Sequence, residues 1–455
     1  MNELKSQLRY LQQHLTQSEK IFVWAIICIS IDGFPLIPLN FENKPLSTLF
    51  VILYWFLEKV KYPRLNQFEI RLWLIFFVLL LFTLFKALVS YHDFFGFFKF
   101  SVTGTFSVIT ISSCYTFIKG LLKRFTPEEV IRIVTYGLIL SSVIPLIVGF
   151  IQLFALWGFF PLSIAQRLTL IFSYRPLLER AQLTTTEASH GSTYLVLIIL
   201  WVYAFYHHVK KFRTVILTAL FLMFLFISSS LGYITFSLTL LIFALIYFRI
   251  RARTFLKYAV SVGLLFISIY WLSVYFVVEY TAEKFKLLSN LITTVDEEVF
   301  YFYLKADYSF LDRVGTPYLS LLSLKDTYFM GAGGESFFYL FPYLVDTYLP
   351  EMLENEILQI MLEINTRFVV KFLPAKIAAE FGLIGVTAFL YFIFREFYRL
   401  IKLYRKTNLS LLRGLGLCCI FALLSTYLCS YFNFSVILVL SVSFLLRKEI
   451  ELKSL

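Results

Sequence analysis

Long apolar segments recur along this sequence, and they constrain its fold more strongly than any other feature. Windows of about 19 residues locate twelve of them, at approximately 21–39, 47–60, 70–90, 97–118, 130–157, 191–208, 213–229, 231–249, 256–279, 381–400, 411–429 and 431–447. Because a helix needs about 20 apolar residues to cross ~30 Å of hydrocarbon, they predict an all-α polytopic membrane protein with about twelve transmembrane helices. The chain is 59% hydrophobic and only 15% charged, which excludes a soluble domain and a disordered chain.

The positions of the basic residues predict the orientation of these helices. Most of the 41 Lys and Arg residues lie in the N-terminal arm, in the C-terminal tail and in short loops near 59–71, 119–132, 210–213, 249–257 and 395–413. With a cytoplasmic N-terminus, all of these clusters fall on the cytoplasmic side, as the positive-inside rule requires. The net charge of +12 is therefore a topology signal and gives no support to nucleic-acid binding. Both termini are predicted to be cytoplasmic.

The spans and the loops between them define the domain organisation. Leu4, Leu8, Leu11 and Leu15 share one helical face, which predicts an amphipathic helix lying on the membrane surface. The predicted segments are this interfacial helix at 1–19, transmembrane helices 1–5 at 20–157, a first long outer loop at 158–190, transmembrane helices 6–9 at 191–279, a large outer loop with amphipathic helices at 280–380, transmembrane helices 10–12 at 381–447 and a cytoplasmic tail at 448–455.

The first outer loop carries a group of side chains suited to binding anions and moving protons. Three arginines in it precede an acid and an imidazole at the start of the sixth span: Arg167, Arg175, Arg180, Glu187 and His190. The alternative is that the arginines reach to lipid phosphates and that His190 is a hydrogen-bonded interface residue. A carboxylate at the start of a span is costly unless it faces a wet or protein-lined cavity, which favours a function for Glu187.

The large outer loop contains Arg313 and, further on, the glycine-rich run 331–335, which ends in Glu335. Such a turn lets the backbone approach a ligand closely, although it equally fits a simple helix terminator. Glu380 opens the tenth span, where the helix dipole favours an acid and a capping role is the alternative. The five cysteines have no metal-ligand spacing, and no phosphate-binding loop or dinucleotide signature occurs. Neither a cofactor nor a metal is expected.

The order of four short motifs resembles the O-antigen polymerase and ligase superfamily, the Wzy-like and WaaL-like membrane glycosyltransferases. Thr186-Glu187-Ala188-Ser189 is similar to the polymerase element S-E-P-S, with Ala in place of Pro. Ser228-Ser229-Ser230-Leu231-Gly232 resembles the turn S-x-S-R-G but lacks its Arg. The run from Arg313 to Gly333 resembles a block of the large outer loop, and the segment 380–385 resembles the E-x-G-L-I-G start of the next span. The resemblance covers about residues 130–400.

One departure favours the polymerase over the ligase branch. Ligases carry a His followed by Asn about nine residues before the last Glu, whereas this chain has Lys371 and then Phe372. The resemblance implies a GT-C-type fold and polymerisation of undecaprenyl-diphosphate-linked oligosaccharide repeats. The reaction would take place at the outer, periplasmic face of a bacterial cytoplasmic membrane, by inversion and without metal. Membrane lipids, a chain-length regulator protein and a flippase are the other expected partners, and nucleic acid is not.

Under this resemblance, guanidinium groups would stabilise the leaving diphosphate, and a carboxylate or imidazole would accept the proton of the attacking sugar hydroxyl. Glu187 is the first choice of base and His190 the second. The expected substrate-binding residues are Arg167, Arg175, Arg180, Arg313, Glu335 and Lys371. The alternatives are a ligase that transfers the glycan to a lipid or protein acceptor, a transporter or flippase, and a peptidoglycan-type polymerase. Against a transporter, the charged residues concentrate in outer loops, and no two-fold repeat of spans or helix breaks is evident.

Overall fold

The protein is all-α in the part of the chain that its computed structural model describes, where no strand occurs. The structure describes residues 2–35, 45–91, 94–175, 177, 181–206, 210–227, 229–247, 297–306, 308–363, 370, 372–428 and 433–453. The predicted span 256–279 and two of the predicted site residues, Arg180 and Lys371, lie outside these ranges.

Helices of very different length make up the described chain. The α-helices are α1 Asn2–His14, α2 Gln17–Ile27, α3 Leu46–Lys61, α4 Gln67–Lys86, α5 Phe94–Leu122, α6 Pro127–Leu156, α7 Leu162–Phe172, α8 Ala188–Phe205, α9 Lys210–Ile227, α10 Ser230–Tyr247, α11 Glu297–Ala306, α12 Thr316–Asp326, α13 Phe337–Tyr348, α14 Glu356–Glu363, α15 Leu373–Thr407, α16 Ser410–Leu428 and α17 Phe434–Lys453. Shorter helical turns are Ala87–Tyr91, Tyr308–Phe310, Leu311–Gly315 and Pro350–Glu354.

Five helices in the described ranges are long and apolar enough to cross a membrane. They are Gln67–Ser90, Phe94–Leu122, Pro127–Leu156, Ala188–Phe205 and Leu373–Thr407, and each contains a predicted span or most of it. The predicted spans near 47–60, 213–229, 231–249, 411–429 and 431–447 also coincide with helices. The protein is therefore an all-α membrane protein, as predicted, while the total of twelve spans stays a prediction.

The first predicted span, 21–39, is wrong as a continuous helix. Helix α2 ends at Ile27, and the chain then turns through residues 28–35. The reason is local chemistry. Asp32 accepts a hydrogen bond from the backbone N–H of Thr186, and Gly33 forms a short parallel bridge with Ser173. The bridge at Gly33 needs an extended backbone, and the Asp32 side chain holds the same segment against the first outer loop, so the chain is not helical where it meets that loop.

Three helices start with the same device on the face that carries the basic loops. In α2, α4 and α6 the residue before the helix and a Glu three positions later bond each other's backbone N–H groups, which forms a capping box. Thr16–Glu19, Asn66–Glu69 and Thr126–Glu129 are these pairs. Glu19 also pairs with Arg124, and Glu69 with Lys59. The helix starts on this face are thus tied by charge to the loops beside them.

Two hydrophobic cores hold the helices together. The larger surrounds α8, whose Trp201 is fully buried, and it includes Leu11 and Leu15 of the N-terminal segment. These two leucines, predicted to face lipid, pack against the protein instead. The smaller core joins the outer helices α11–α14 to the start of α15 through residues such as Phe341 and Ala379. The outer helices are therefore fixed to the helix on which the candidate site lies.

Helix α15 is broken within its first third. Gly382 has φ 67° and ψ −165°, which no helical residue adopts, and the helix resumes after it. Glu380 lies before this break and is 5% exposed. It therefore lies at the junction of two helical segments, two residues before the break, and its capping role stays an alternative.

Candidate functional site: a cavity between two charged groups

A cavity of about 770 Å³ lies among helices that are far apart in the sequence. Residues from α4, α5, α8, α15 and α16 line it, together with the turn after α2, the glycine-rich turn and the starts of α3 and α17. Its volume is within the range of ~300–1,000 Å³ that is common for ligand pockets. In the described chain, it collects charged side chains from segments that are far apart in sequence, and these form two groups.

The first group is a buried lysine–glutamate cluster, formed by Lys99, Glu335, Lys376 and Glu380. The Glu335 carboxylate bridges two ammonium groups, with Oε2 3.0 Å from Lys99 Nζ and Oε1 2.9 Å from Lys376 Nζ. Glu380 Oε1 lies 3.7 Å from Lys376 Nζ and accepts a hydrogen bond of 3.1 Å from the Glu335 backbone N–H. The cluster therefore joins α5, the glycine-rich turn and α15 through charge.

Electrostatics keep the central carboxylate of this cluster ionised. Burial alone would raise the pKa of Glu335, but the ammonium groups of Lys376 and Lys99 together outweigh burial and lower it to about 2. At neutral pH the group is thus a carboxylate between two lysines.

The glycine-rich turn is held in place by main-chain contacts with the broken helix. Ala332 and Gly333 donate to the carbonyls of Ala379 and Glu380, at 2.7 and 2.8 Å, and Leu383 N–H donates to Phe329 O at 2.9 Å. A Cβ at Gly382 would lie 2.1 Å from that Phe329 oxygen. The turn was predicted to bring its backbone close to a ligand. In the structure, that backbone instead packs on α15, and the Glu335 side chain is what lines the cavity.

The second group is a dyad of Asp32 and His190. His190 Nδ1 lies 2.7 Å from Asp32 Oδ2, and the other carboxylate oxygen accepts the Thr186 N–H, also at 2.7 Å. With Nδ1 protonated to donate to this carboxylate, a neutral ring would have its lone pair on Nε2. Both residues line the cavity. A carboxylate on one imidazole nitrogen and a basic lone pair on the other is the arrangement of a general base.

A buried amide fixes the loop that leads into α8 and holds Asp32 through Thr186. Gln152 of α6 accepts the N–H groups of Gln182 and Leu183 with its oxygen and donates to Leu183 O and Thr169 Oγ1 with its nitrogen. Gln152 is fully buried and uses both of its polar atoms. It holds the loop in register just before Thr186, so the backbone N–H that binds Asp32 is positioned by α6.

The lining changes character along the cavity. On α5 the lining runs from Lys99 through Thr103 to Thr110. Thr110 lies about 16 Å from Lys99 along the helix, at ~1.5 Å per residue. On α15 it runs from Lys376 past Phe381 to Phe389. Since Glu335 joins the two lysines, the charged groups of both helices lie at one end. Apolar and hydroxyl side chains form the remaining length on these two helices, and Ile75 of α4, which also lines the cavity, is 59% exposed.

The predicted site residues are only partly brought together. Glu335 and His190 line the cavity, whereas Glu187 pairs with Arg175 outside its lining, with side chains 41% and 44% exposed. Arg167 and Arg313 are exposed and do not line the cavity either. The catalytic and binding roles of these residues stay predictions. Within the described ranges, the cavity's cations come from Lys99 and Lys376.

Sequence reasoning missed both lysines and Asp32 as site residues. A usable signal was present, because Lys99 lies inside a predicted span and Lys376 precedes Glu380 by one helical turn. Among the residues that the structure describes, no group of three or more His, Cys, Asp or Glu side chains is placed to hold a metal ion. Comparison of the chain with protein-family models and with curated proteins found no match.

Proposed function

We propose that the protein is a membrane glycosyltransferase that polymerises polyprenyl-diphosphate-linked oligosaccharide repeat units into surface polysaccharide. The observation that carries the proposal is the cavity with a charged end, an apolar length and an Asp–His dyad on the same lining. The proposal includes a GT-C-type fold with twelve spans and cytoplasmic termini. The site would face the outside of a bacterial cytoplasmic membrane.

The shape and chemistry of the cavity suit an amphipathic anion. A lipid-linked glycan combines a long apolar tail with a diphosphate, and the cavity combines lysines at one end with apolar side chains along the rest. The exposed position of Ile75 on α4, a candidate membrane span, would let the tail pass between the cavity and the bilayer. The diphosphate would lie at Lys99 and Lys376, whose charge stabilises it as it leaves.

The Asp32–His190 dyad supports the chemical step. His190 Nε2 would accept the proton of an acceptor sugar hydroxyl while its oxygen attacks the anomeric carbon of the donor. The new C–O bond forms as the bond from that carbon to the phosphate oxygen breaks, and the lipid diphosphate leaves with the bonding electron pair. Attack opposite the leaving group inverts the anomeric carbon. Asp32 keeps the ring in the right tautomer and stabilises the imidazolium. This geometry supports His190 as the base ahead of Glu187.

The alternatives use overlapping chemistry. A ligase would transfer the finished glycan to a lipid or protein acceptor with the same kind of cavity, and the Lys371-Phe372 departure speaks against it. A transporter or flippase is favoured by one observation, the helix break at Gly382 next to buried charges, since secondary carriers build binding sites at broken helices.

Deletion of the gene in its host, followed by gel analysis of surface polysaccharide, separates these functions. Loss of a polymerase leaves single repeat units attached to their acceptor. Loss of a ligase leaves unattached lipid-linked chains, and loss of a flippase leaves no repeat units outside. A polymerase should be restored by the wild-type gene and by the control Lys305→Gln, which changes an exposed pair with Glu354. It should not be restored by His190→Ala or Lys376→Gln. Full-length chains in both of these variants would contradict the site.

A further inference from the structure

The lysine–glutamate cluster contains a carboxylate in the position of a bound anion. Each oxygen of Glu335 is taken by a different ammonium group, Lys99 on α5 and Lys376 on α15. Two cations from separate helices around the two oxygens of one acid form the arrangement by which proteins bind a phosphate group. The lysines lie at the end of a cavity large enough for a ligand, so the bridging carboxylate occupies the place where an incoming anion would gain most.

Charge balance makes this carboxylate an obstacle to anion binding. The Glu335 carboxylate neutralises one of the two ammonium charges and lies between them, so an arriving phosphate would be repelled by it. If the Glu335 side chain left its place, the charge around the two lysines would become more positive by one unit. Affinity for an anion therefore depends on whether Glu335 moves.

The backbone allows the side chain to move while the turn stays in place. Glu335 lies in a turn with φ 58°, whereas the two lysines and Glu380 lie on helices. Its own N–H is held by Glu380 Oε1, and the preceding Gly334 N–H is held by Thr83 Oγ1 at 3.0 Å. These contacts hold the main chain of the turn on α4 and α15 without using the carboxylate of Glu335. Rotation about the side-chain bonds of Glu335 would withdraw its carboxylate from both lysines.

We propose that Glu335 is a displaceable internal anion, which holds Lys99 and Lys376 together until a phosphate group on an isoprenoid lipid takes its place. The lipid as the source of the phosphate rests on the proposed function, whereas the displacement itself does not. The competing interpretation is a permanent structural tie between α5 and α15. The two interpretations predict opposite effects of removing the charge of Glu335 on anion affinity.

Calorimetric titration of the full-length protein in neutral detergent tests the displacement, with inorganic diphosphate as the probe. Glu335→Gln should bind it about tenfold more tightly than the parent, because an internal competitor for two charged hydrogen bonds is gone. Lys99→Gln and Lys376→Gln should each bind it about tenfold more weakly. The control Glu354→Gln, which removes the acid of the exposed pair with Lys305, should bind it like the parent. Equal or weaker binding by Glu335→Gln overturns the proposal.

A second measurement uses the unsubstituted protein and does not depend on how the variants fold. Carbodiimide-activated labelling of carboxylates, read by mass spectrometry, should increase at Glu335 when inorganic diphosphate is added, because the side chain leaves the lysines. Labelling of the exposed Glu354 should stay constant and serves as the internal reference. Unchanged labelling of Glu335 at saturating diphosphate would show that the carboxylate does not move, and it would overturn the displacement.

The source of the phosphate is tested with farnesyl diphosphate. Tighter binding of this lipid than of inorganic diphosphate supports a lipid-borne group, and equal binding overturns that part. The outcome is separable from the proposed function. Tighter diphosphate binding by Glu335→Gln, with unchanged polysaccharide after gene deletion, would retain the displaceable anion and reject the polymerase. Loss of polymer after deletion, with equal diphosphate affinities of the parent and Glu335→Gln, would retain the polymerase and reject the displaceable anion.

Discussion

Gly382→Ala should destabilise the protein and disturb the candidate site at once, because this glycine is where α15 breaks and where the outer turn meets it. Its φ and ψ of 67° and −165° lie in a region that only glycine adopts readily. The break lets the Leu383 N–H donate to Phe329 O. The carbonyls of Ala379 and Glu380, which accept the other two hydrogen bonds from the turn, lie directly before the break. A methyl group added at Gly382 would disturb all three of these hydrogen bonds.

The magnitude follows from two contributions. A side chain in this backbone region costs ~1–3 kcal/mol. In addition, the new Cβ would lie 2.1 Å from Phe329 O and 2.6 Å from Met330 C, both backbone atoms that no side-chain rotation can move. The turn must therefore shift and lose the Leu383–Phe329 hydrogen bond, worth ~0.5–1.5 kcal/mol. Together the expected loss in the free energy of unfolding is about 2–4 kcal/mol.

Denaturant titration in mild detergent measures this loss, and two other glycines provide matched controls. Gly158 has φ 81°, and an added Cβ there would meet nothing within 4 Å, so Gly158→Ala isolates the backbone cost of ~1–2 kcal/mol. Gly120 is helical, and the nearest neighbour of its added Cβ is an ordinary contact at 3.9 Å, so Gly120→Ala should be neutral or stabilise by ~0.5–1 kcal/mol. The difference between Gly382→Ala and Gly158→Ala measures the clash with the turn.

The reasoning is refuted if Gly382→Ala unfolds at the same denaturant concentration as the parent protein. It is also refuted if the variant loses no more stability than Gly158→Ala, because the contact between turn and helix would then add nothing. A stable Gly382→Ala protein with normal polymer formation would show that neither the break nor the turn contact is needed for the site.

Three further predictions concern the charged groups. Asp32→Asn should leave the fold intact and lower the rate of polymerisation ~10²–10⁴-fold in an assay with purified lipid-linked repeats, because His190 loses the acid that fixes its tautomer; a normal rate would exclude the dyad. The folded-state pKa of Glu335 is about 2, below its unfolded value of 4.5, so its pairing stabilises the protein fully above pH 4.5 and this contribution is lost as the pH falls towards 2. Denaturant titrations at pH 7 and pH 3 should therefore show a larger loss in the parent than in Glu335→Gln, and equal losses would contradict the ion pairing. Arg175→Ala should change the free energy of unfolding by no more than about 1 kcal/mol, since its pair with Glu187 is exposed; a larger loss measured by denaturation would mean that the pair is structural.

The membrane helices were largely predictable because their signal is local. A run of apolar residues long enough to span a bilayer has few other structures available, since every backbone polar group must be paired within it. The prediction failed at 21–39, where hydropathy is high but the chain ends its helix at Ile27. What ends it is a contact with the first outer loop, and a window of one segment contains no information about a partner 154 residues away.

The candidate site was predictable in residue type and in part of its membership, but not in its pairings. His190 and Glu335 stood out as polar groups beside spans, and both line the cavity. Their partners, Asp32 and Lys99, come from distant helices, and which of several charged residues approaches another depends on helix packing. Arginines in the outer loops were favoured because guanidinium groups bind phosphate well, yet chemistry alone does not decide which cations a fold turns towards its cavity.

The junction between the outer turn and α15 has a consequence for how this protein can vary. It is made by amides and carbonyls of the main chain, and Tyr328 at its tip is 87% exposed, whereas a Cβ at Gly331 would lie 2.5 Å from Gly382 N. Substitutions at the tip should therefore be inherited easily and could adapt the outer surface to different surroundings. A single inserted or deleted residue between Phe329 and Glu335 is different in kind, because it would move the donors out of step with their acceptors and carry the bridging acid away from the lysines. The length of this turn and its glycines, rather than the side chains at its tip, are the properties that selection should preserve.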